Sequence, residues 1–196
     1  GNLGNDVILD GAPYVSDAAK LWGFEVAKAS AALCPVRNLS DVLDSSTPVP
    51  GLPLTFRRVY GQSIPSRFRL GPLGRGWSHN WEVSVQEVSG WTVLHGPGGV
   101  ERSFQKRLSD DAFLPSPGEF GRLILTNSTY LLIEPDQTFW QFRSDRLLDY
   151  VQDRNANRIT LGYSGGNLTI ISHSSGKQLR MEYNSAGRIS RLIAPA

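Results

Sequence analysis

The chain of 196 residues is poor in the residue types that build redox, metal and membrane sites. Cys34 is the sole cysteine, which excludes an intrachain disulfide and any metal site made from several cysteines. Three histidines occur, and no two of them have the spacing of a zinc-binding pair. No apolar run reaches the roughly 18 residues that a membrane-spanning helix needs. The sequence therefore predicts no metal, no cofactor and no membrane insertion by this chain.

Charge of either sign is also sparse. The chain has 20 Lys and Arg against 18 Asp and Glu, a net charge of +2. Nucleic-acid binding draws on a strong positive field, which this balance does not supply. The arginines fall in alternating stretches such as 56–60 and 179–183, as is typical of the solvated face of a strand. We therefore expect no nucleic-acid partner.

What the chain does have is a motif that occurs three times near its C-terminus, at a spacing of 20 to 21 residues. In each copy an aromatic residue precedes a short polar or glycine-containing turn and then an aliphatic residue. The copies are 142–147, 163–168 and 183–189. Two strands of about 5 to 6 residues and their turns fill roughly 20 positions. The repeat therefore predicts an antiparallel β-meander, and repeats of this kind usually build surfaces or containers.

The segment before residue 54 has a different character. Residues 16–33 form the one convincing helix of the sequence, with apolar residues at helical spacing and Pro35 beyond its end. This helix would cap the sheet or dock on a part of the protein outside this chain. From Cys34 to Pro53 four prolines indicate an extended linker, which leads into a first strand at Leu54–Tyr60.

Consecutive hairpins then predict an antiparallel sheet, with strands at 81–85, 91–94 and 100–104. Prolines and a glycine interrupt this rhythm between 105 and 121. We therefore divide the chain into an N-terminal segment (1–34), an opening module (35–104), a loop or excursion (105–121) and a repeat region (122–196). Because the sequence begins with Gly and ends within a repeat, we expect it to be a piece of a longer chain.

Two stretches resemble the Rhs/YD-repeat family. Residues 50–60, GLPLTFRRVY after the first proline, and residues 71–80, GPLGRGWSHN, are similar to the opening of an Rhs shell. The repeats, including 153–163, are similar to the family's D-x-x-G-N-R…Y pattern. Ala156 and Gln137 stand where the family usually has glycine, so these two turns lack its free access to positive φ. The resemblance covers about residues 34–196.

The resemblance implies part of a curled or spiral β-sheet, a shell that encloses a C-terminal toxin or effector domain. It also implies a secreted or cell-surface location, as for polymorphic toxins, toxin-complex subunits and teneurins. Its partners would be further repeats of the same shell, or another fragment or copy pairing at the sheet edges, together with the enclosed domain. The residues expected to shape the repeats and the opening module are Tyr60, Trp77, Trp81, Phe142, Tyr163, Gly176, Tyr183 and Gly187, with Gly74 and Gly76 in further turns.

No catalytic motif stands out. The sequence has no G-x-S-x-G elbow, and the glycines at 96–99 lack the lysine of a phosphate-binding loop. His79 lies between Trp77 and Trp81, tryptophans that would pack a core or stack on a sugar. We therefore predict a non-catalytic structural segment; the alternative is a cell-surface module that binds carbohydrate or protein through exposed aromatic rings. An enzyme would need His79 or His173 beside carboxylates in a deep cleft.

Overall fold

The structure, a computed structural model, describes Val7–Leu9, Ala12–Val15, 38–107, 109–110 and 112–195. Strands make up most of the described residues and the sheets are antiparallel, which confirms the mainly β prediction. The helix predicted at 16–33 lies outside the described residues. Strands β1 (Val7–Leu9) and β2 (Ala12–Val15) pair with each other.

A three-stranded sheet begins the opening module. Strand β3 (Asn38–Thr47) pairs with β4 (Leu54–Gly61), and β7 (Trp77–His79) pairs with the other edge of β4. The predicted linker is therefore wrong over Asn38–Thr47. The backbone there is extended, as expected, but it forms the hydrogen bonds of a strand because β4 lies alongside it.

A compact connection that the sequence did not predict joins β4 to β7. It contains helix α1 (Ile64–Phe68), β5 (Leu70–Gly71) and β6 (Gly74–Arg75). The hydroxyl of Ser63 caps α1 by accepting the backbone N–H of Ser66 at 3.3 Å. A five-residue helix is too short to show a helical period, which is why the pattern of apolar residues does not reveal it.

A four-stranded sheet follows. Its spatial order is β11, β10, β9, β8, and a 3₁₀ turn at Pro97–Gly99 connects β9 to β10. The first strand begins three residues later than predicted, because Trp81 lies in a turn closed by the N–H of Glu82 and the carbonyl of His79 at 2.9 Å. The loop predicted at 105–121 contains β11. The strands are β8 (Ser84–Val88), β9 (Trp91–His95), β10 (Glu101–Lys106) and β11 (Phe113–Pro115).

The repeats form an eight-stranded sheet in which each strand pairs with the next in the chain. We call it the repeat sheet. Each copy of the motif joins two neighbouring strands, so a unit of about 20 residues holds two strands, as predicted. The strands are β12 (Arg122–Thr126), β13 (Thr129–Ile133), β14 (Phe139–Phe142), β15 (Leu148–Gln152), β16 (Arg158–Ser164), β17 (Asn167–His173), β18 (Gln178–Tyr183) and β19 (Ile189–Ile193).

Five hairpin turns of the repeat sheet share one geometry. In each, the first N–H donates to the fifth carbonyl and the fourth N–H donates to the first carbonyl, at 2.8 to 3.1 Å. The fourth residue has positive φ, as in a three-residue hairpin loop with a left-handed bulge. Glycine is therefore favoured there, yet three turns place Gln, Arg or Ala at this position. The turns are Glu134–Thr138, Arg143–Leu147, Asp153–Asn157, His173–Lys177 and Asn184–Arg188.

Replacing Ala156 with glycine is expected to stabilise the chain by about 0.5–1 kcal/mol. Its φ of +66° is strained for a residue with a Cβ, and its exposed methyl group packs on little. The greater entropy of glycine in the unfolded chain offsets part of this gain. The matched control is Gly187→Ala, at φ +69° with open space around it, which should cost about 1 kcal/mol. Urea unfolding measures both variants. If Ala156→Gly did not raise the free energy of unfolding and Gly187→Ala did not lower it, the shared turn geometry would be contradicted.

One hydrophobic core joins the opening module to the repeat sheet. Leu54, Phe56 and Trp81 of the module lie in the same cluster as Leu148 and Leu179 of the repeats. A single hairpin cannot bury an apolar face alone, so each unit depends on its neighbours and on the module that covers them.

Candidate functional site: the repeat wall, its docking seam and its free edge

The aromatic residue of the motif occupies the same structural position in all three units. The strand register shifts immediately before Phe142, Tyr163 and Tyr183, and each ring then stands opposite an aliphatic residue near the start of the next strand. Such a shift bends the strand and redirects its side chains. The opposite residues are the predicted Leu168 and Ile189 in the second and third units, and in the first unit Leu148, one position beyond the predicted Leu147.

The two tyrosines tie each unit to the one before it. The hydroxyl of Tyr163 donates to the carbonyl of Leu148 at 2.8 Å, and that of Tyr183 donates to the carbonyl of Leu168 at 2.8 Å. In both cases the acceptor lies 15 residues earlier, on the aliphatic residue that stands opposite the aromatic ring of the preceding unit. Burial raises the pKa of Tyr183 to about 12 and that of Tyr163 further, so both hydroxyls stay protonated donors.

The other predicted aromatic residues are buried or are held by a specific contact. Trp81 is 7% exposed and its indole N–H donates to the Thr55 carbonyl at 2.6 Å. Tyr60 and Trp77 form an edge-to-face pair with ring centroids 5.2 Å apart. Phe142 is 1% exposed. The structure therefore places the predicted aromatic residues in two groups: one at the first position of each motif, and one in the opening module.

The predicted glycines lie in turns. Gly176 and Gly187 occupy the left-handed position of two hairpins, at φ +89° and +69°. Gly74 and Gly76 also have positive φ, and Gly76 lies against Tyr60. These positions shape the backbone and offer no reactive group.

The opening module crosses the turn ends of the repeats along a line of backbone hydrogen bonds, which we call the docking seam. The N–H of Ile189 donates to the Pro72 carbonyl at 2.8 Å, and the N–H of Leu148 donates to the Val83 carbonyl at 3.3 Å. Val85 in turn donates its N–H to the carbonyl of Arg146 at 2.9 Å. The segments around 72 and 83 therefore have a shared role that sequence patterns did not reveal, because it depends on residues more than 60 positions away.

A second contact holds the module on the opposite ends of the repeat strands. Gly51, at φ +67°, lies so close to the Asp153–Asn157 turn that a Cβ there would come within 2.5 Å of the Asp153 carboxylate and overlap the Asn157 amide. That turn is itself rigid, because Asp153 accepts the N–H groups of Asn155 and Asn157 at 2.8 and 2.9 Å. The GLPL segment thus fits the D-x-x-x-N turn.

Strand β19 forms one edge of the repeat sheet. The Arg188 carbonyl points toward β18, where it accepts the N–H of Asn184 at 2.8 Å. Successive residues of a strand alternate in direction, so the N–H and carbonyl of Ile189 point away from β18. The register shift between Ile189 and Arg191 resets this alternation: Arg191 stands opposite Glu182 and faces β18, so the next outward N–H and carbonyl are those of Leu192. Leu148 is the precedent: on that side its N–H reaches the opening module and its carbonyl accepts a tyrosine. Like Leu148, Ile189 donates its N–H to the opening module, at Pro72. No strand among the described residues pairs with this outer side of β19.

A cleft of about 410 Å³ runs beside the docking seam. His79, Glu82 and Arg69 of the module and Tyr163, Tyr183 and Arg188 of the repeats line it. Glu82 accepts Arg69 at 2.7 Å and the main-chain N–H of His79 at 3.3 Å. Burial raises the pKa of Glu82 above its usual value. The spacing of His79 and Glu82 across one tight turn is the signal that pattern reading missed.

His79 itself is 2% exposed and stacks on Phe56, with ring centroids 5.1 Å apart. Its Nδ1 is buried and has no hydrogen-bond partner among the described residues. Burial, with Arg69 nearby, lowers the pKa of His79 to about 4. The structure thus brings His79 and the carboxylate of Glu82 together at one cleft.

The other two histidines have local partners. His173 begins a hairpin turn, where its Nδ1 accepts the N–H of Ser175 at 3.0 Å. His95 contacts Gln86 at 3.1 Å and Glu101 at 3.3 Å on the four-stranded sheet. Across residues 38–107 and 112–195 we find no group of three or more His, Cys, Asp or Glu side chains suited to a metal ion. Nor does a helix in the described parts have the length and apolar character to cross a bilayer.

Comparison with known protein families matches part of the chain. Residues 38–104 match a family described as a domain of unknown function, DUF6531. The match begins at the first residue of β3 and ends within β10, so it covers the three-stranded sheet, the connection with α1 and most of the four-stranded sheet. No curated protein matches the chain.

Proposed function

We propose that this chain is a non-catalytic wall segment of an Rhs/YD-type shell, which encloses and protects a toxin or effector domain outside the cell that makes it. The observation that carries the proposal is the tyrosine contact between successive units, repeated at the same spacing of 15 residues. The family matched at 38–104 is often associated with Rhs/YD-repeat proteins, which supports the same assignment.

The free edge gives the proposal a specific form. The carbonyls of Leu148 and Leu168 each accept the tyrosine of the next unit, so the Ile189 carbonyl is the next acceptor in the series. The tyrosine hydroxyl that donates to this carbonyl belongs to a further strand, which pairs antiparallel with β19. In a longer chain that strand is a further repeat; in this chain alone, an open edge favours pairing with another copy.

The edge is tested by sedimentation of the chain at increasing concentration, with Leu192→Pro as the variant. We expect wild type to associate, and the variant to stay monomeric because proline removes the outward N–H of Leu192 while leaving the bonds of β19 to β18 intact. Leu192→Ala, which shortens the same side chain but keeps the N–H, is the control that should associate as wild type does. Monomeric wild type at high concentration would contradict pairing at this edge.

A second candidate is a binding module, and one observation favours it. Trp91 is 38% exposed and stands in a cross-strand row with Val88, Gln105 and Leu114 on the outer face of the four-stranded sheet. An exposed indole beside an amide side chain suits a sugar ring, which stacks and hydrogen-bonds together. The motif aromatics argue against it, since their rings pack internally and their hydroxyls are occupied.

A further inference from the structure

We propose that His79 makes the docking seam sensitive to acid, so that mildly acidic surroundings loosen the opening module from the repeat sheet. The inference goes beyond the shell assignment and does not depend on it. It rests on where His79 lies: inside the protein, beside the cleft, and within a few residues of both module carbonyls that hold the repeats.

The geometry links this imidazole to the seam on two sides. The tight turn from His79 to Glu82 leads directly into Val83, whose carbonyl accepts the N–H of Leu148. Glu82 also lies against Gly71, because a Cβ there would come within 3.4 Å of its carboxylate. Gly71 precedes Pro72, which accepts the N–H of Ile189. A disturbance at His79 therefore reaches both contacts through one or two residues.

A protonated His79 would have no good partner in this position. Both of its ring nitrogens would then be donors, and Nδ1 is sealed from solvent without an acceptor. Both oxygens of Glu82 already accept other donors. The nearby cation Arg69 opposes a second positive charge. Other charged or titratable groups around the ring belong to its neighbouring strands and the cleft: Arg58, which faces His79 across the strand pair and is bound by Asp44, and His95, Tyr163, Tyr183 and Arg188.

The sign of the effect follows from linkage. The pKa of His79 in the folded chain is about 4, below the ordinary value of 6.5, so the closed state binds fewer protons than an open one. Stability due to closure is complete above about pH 6.5 and is lost as the pH falls toward about 4. Burial raises the pKa of Glu82, which works in the opposite direction and offsets part of the change. From the histidine alone, the open fraction should rise about 20-fold between about pH 7 and about pH 5.

Hydrogen exchange of the whole chain tests the proposal. After correction for the intrinsic rate, the amides of Leu148 and Ile189 should exchange about 20-fold faster near pH 5 than near pH 7, while those of β18 stay protected. His79→Gln should flatten this dependence, because Glu82 is present in both proteins and its effect cancels. His95→Gln, on the partly exposed histidine, should behave as wild type. Equal pH dependence in wild type and His79→Gln would overturn the proposal.

A direct titration keeps the test valid if His79→Gln does not fold. The imidazole resonances of wild-type His79, followed by NMR, should titrate near pH 4. A midpoint near the ordinary histidine value of about 6.5 would show that the folded protein accepts the charge, and would overturn the proposal.

Discussion

Tyr163→Ala is expected to lower the free energy of unfolding by about 3 kcal/mol or more. The ring packs against the core cluster at the register shift of β16, and its hydroxyl makes the contact to the Leu148 carbonyl. Removal of the ring leaves a cavity where two units meet and an unpaired carbonyl at their junction. Chemical denaturation measures the loss, and an unfolding midpoint that does not change would refute a wall-building role for this residue.

Tyr163→Phe separates the ring from the hydroxyl. It keeps the packing and removes only the hydrogen bond, so we expect a loss of about 1 kcal/mol. Tyr183→Phe should cost a similar amount, because its contact to Leu168 has the same length and the same spacing. The first unit already has Phe142, which packs without a hydroxyl and is nevertheless 1% exposed. If both tyrosine variants were as stable as wild type, the repeated contact would have no energetic role.

Gly76→Ala is expected to cost about 3 kcal/mol, through strain and overlap together. Gly76 has a φ of +78°, and a Cβ there would lie 2.6 Å from the Tyr60 ring and 2.9 Å from the Arg67 carbonyl. The backbone of Gly76 cannot easily move away, because its N–H donates to the Arg69 carbonyl at 2.8 Å. Thermal unfolding monitored by near-UV circular dichroism measures the loss and reports on the packing of Trp77.

Gly74→Ala is the matched control two residues earlier. Gly74 has a φ of +101° and nothing within 4 Å of its Cβ position, so alanine there meets strain but no overlap. We expect a loss of about 1–2 kcal/mol, smaller than at Gly76. An equal loss at the two positions would show that the close approach to Tyr60 is unimportant. The comparison thus tests why the opening motif has glycine at both positions.

The repeat sheet was the most predictable part of the molecule. Its signal is local: an aromatic residue, a turn and an aliphatic residue lie within seven positions, and the hairpin brings them together. Turn geometry was predictable at Gly176 and Gly187, because glycine at these turn positions indicates a positive φ. Ala156 and Gln137 adopt the same φ without glycine, because the hydrogen bonds of the surrounding ladder impose it.

The docking seam was not predictable from the sequence. Pro72 and Ile189 are 117 positions apart, and their contact joins a backbone carbonyl to a backbone N–H. Every residue type has that carbonyl, and every type except proline has that N–H, so residue identity gives no signal of the contact. Strand β3 was missed for a related reason. Prolines at both ends suggested a linker, and only the presence of β4 alongside turns an extended segment into a strand.

The buried cluster at His79 shows a third kind of limit. In the sequence this histidine lies between two tryptophans that were expected to pack a core or stack on a sugar, and in the structure the histidine itself is 2% exposed. The sequence did not indicate that Nδ1 lacks a partner, or that Glu82 and Arg69 lie beside it. Such properties depend on burial and on neighbours from other strands, which residue spacing alone does not specify.

A density map of the native gene product, resolved well enough to trace strands beyond Ile193, tests the central claim most directly. We predict that a further antiparallel strand pairs with the outer edge of β19, that a tyrosine hydroxyl of that strand contacts the Ile189 carbonyl, and that the continued sheet curves around an enclosed domain. An outer edge of β19 left open to solvent, with the row at Trp91 occupied by a sugar or a partner protein, would contradict the shell and favour the binding module.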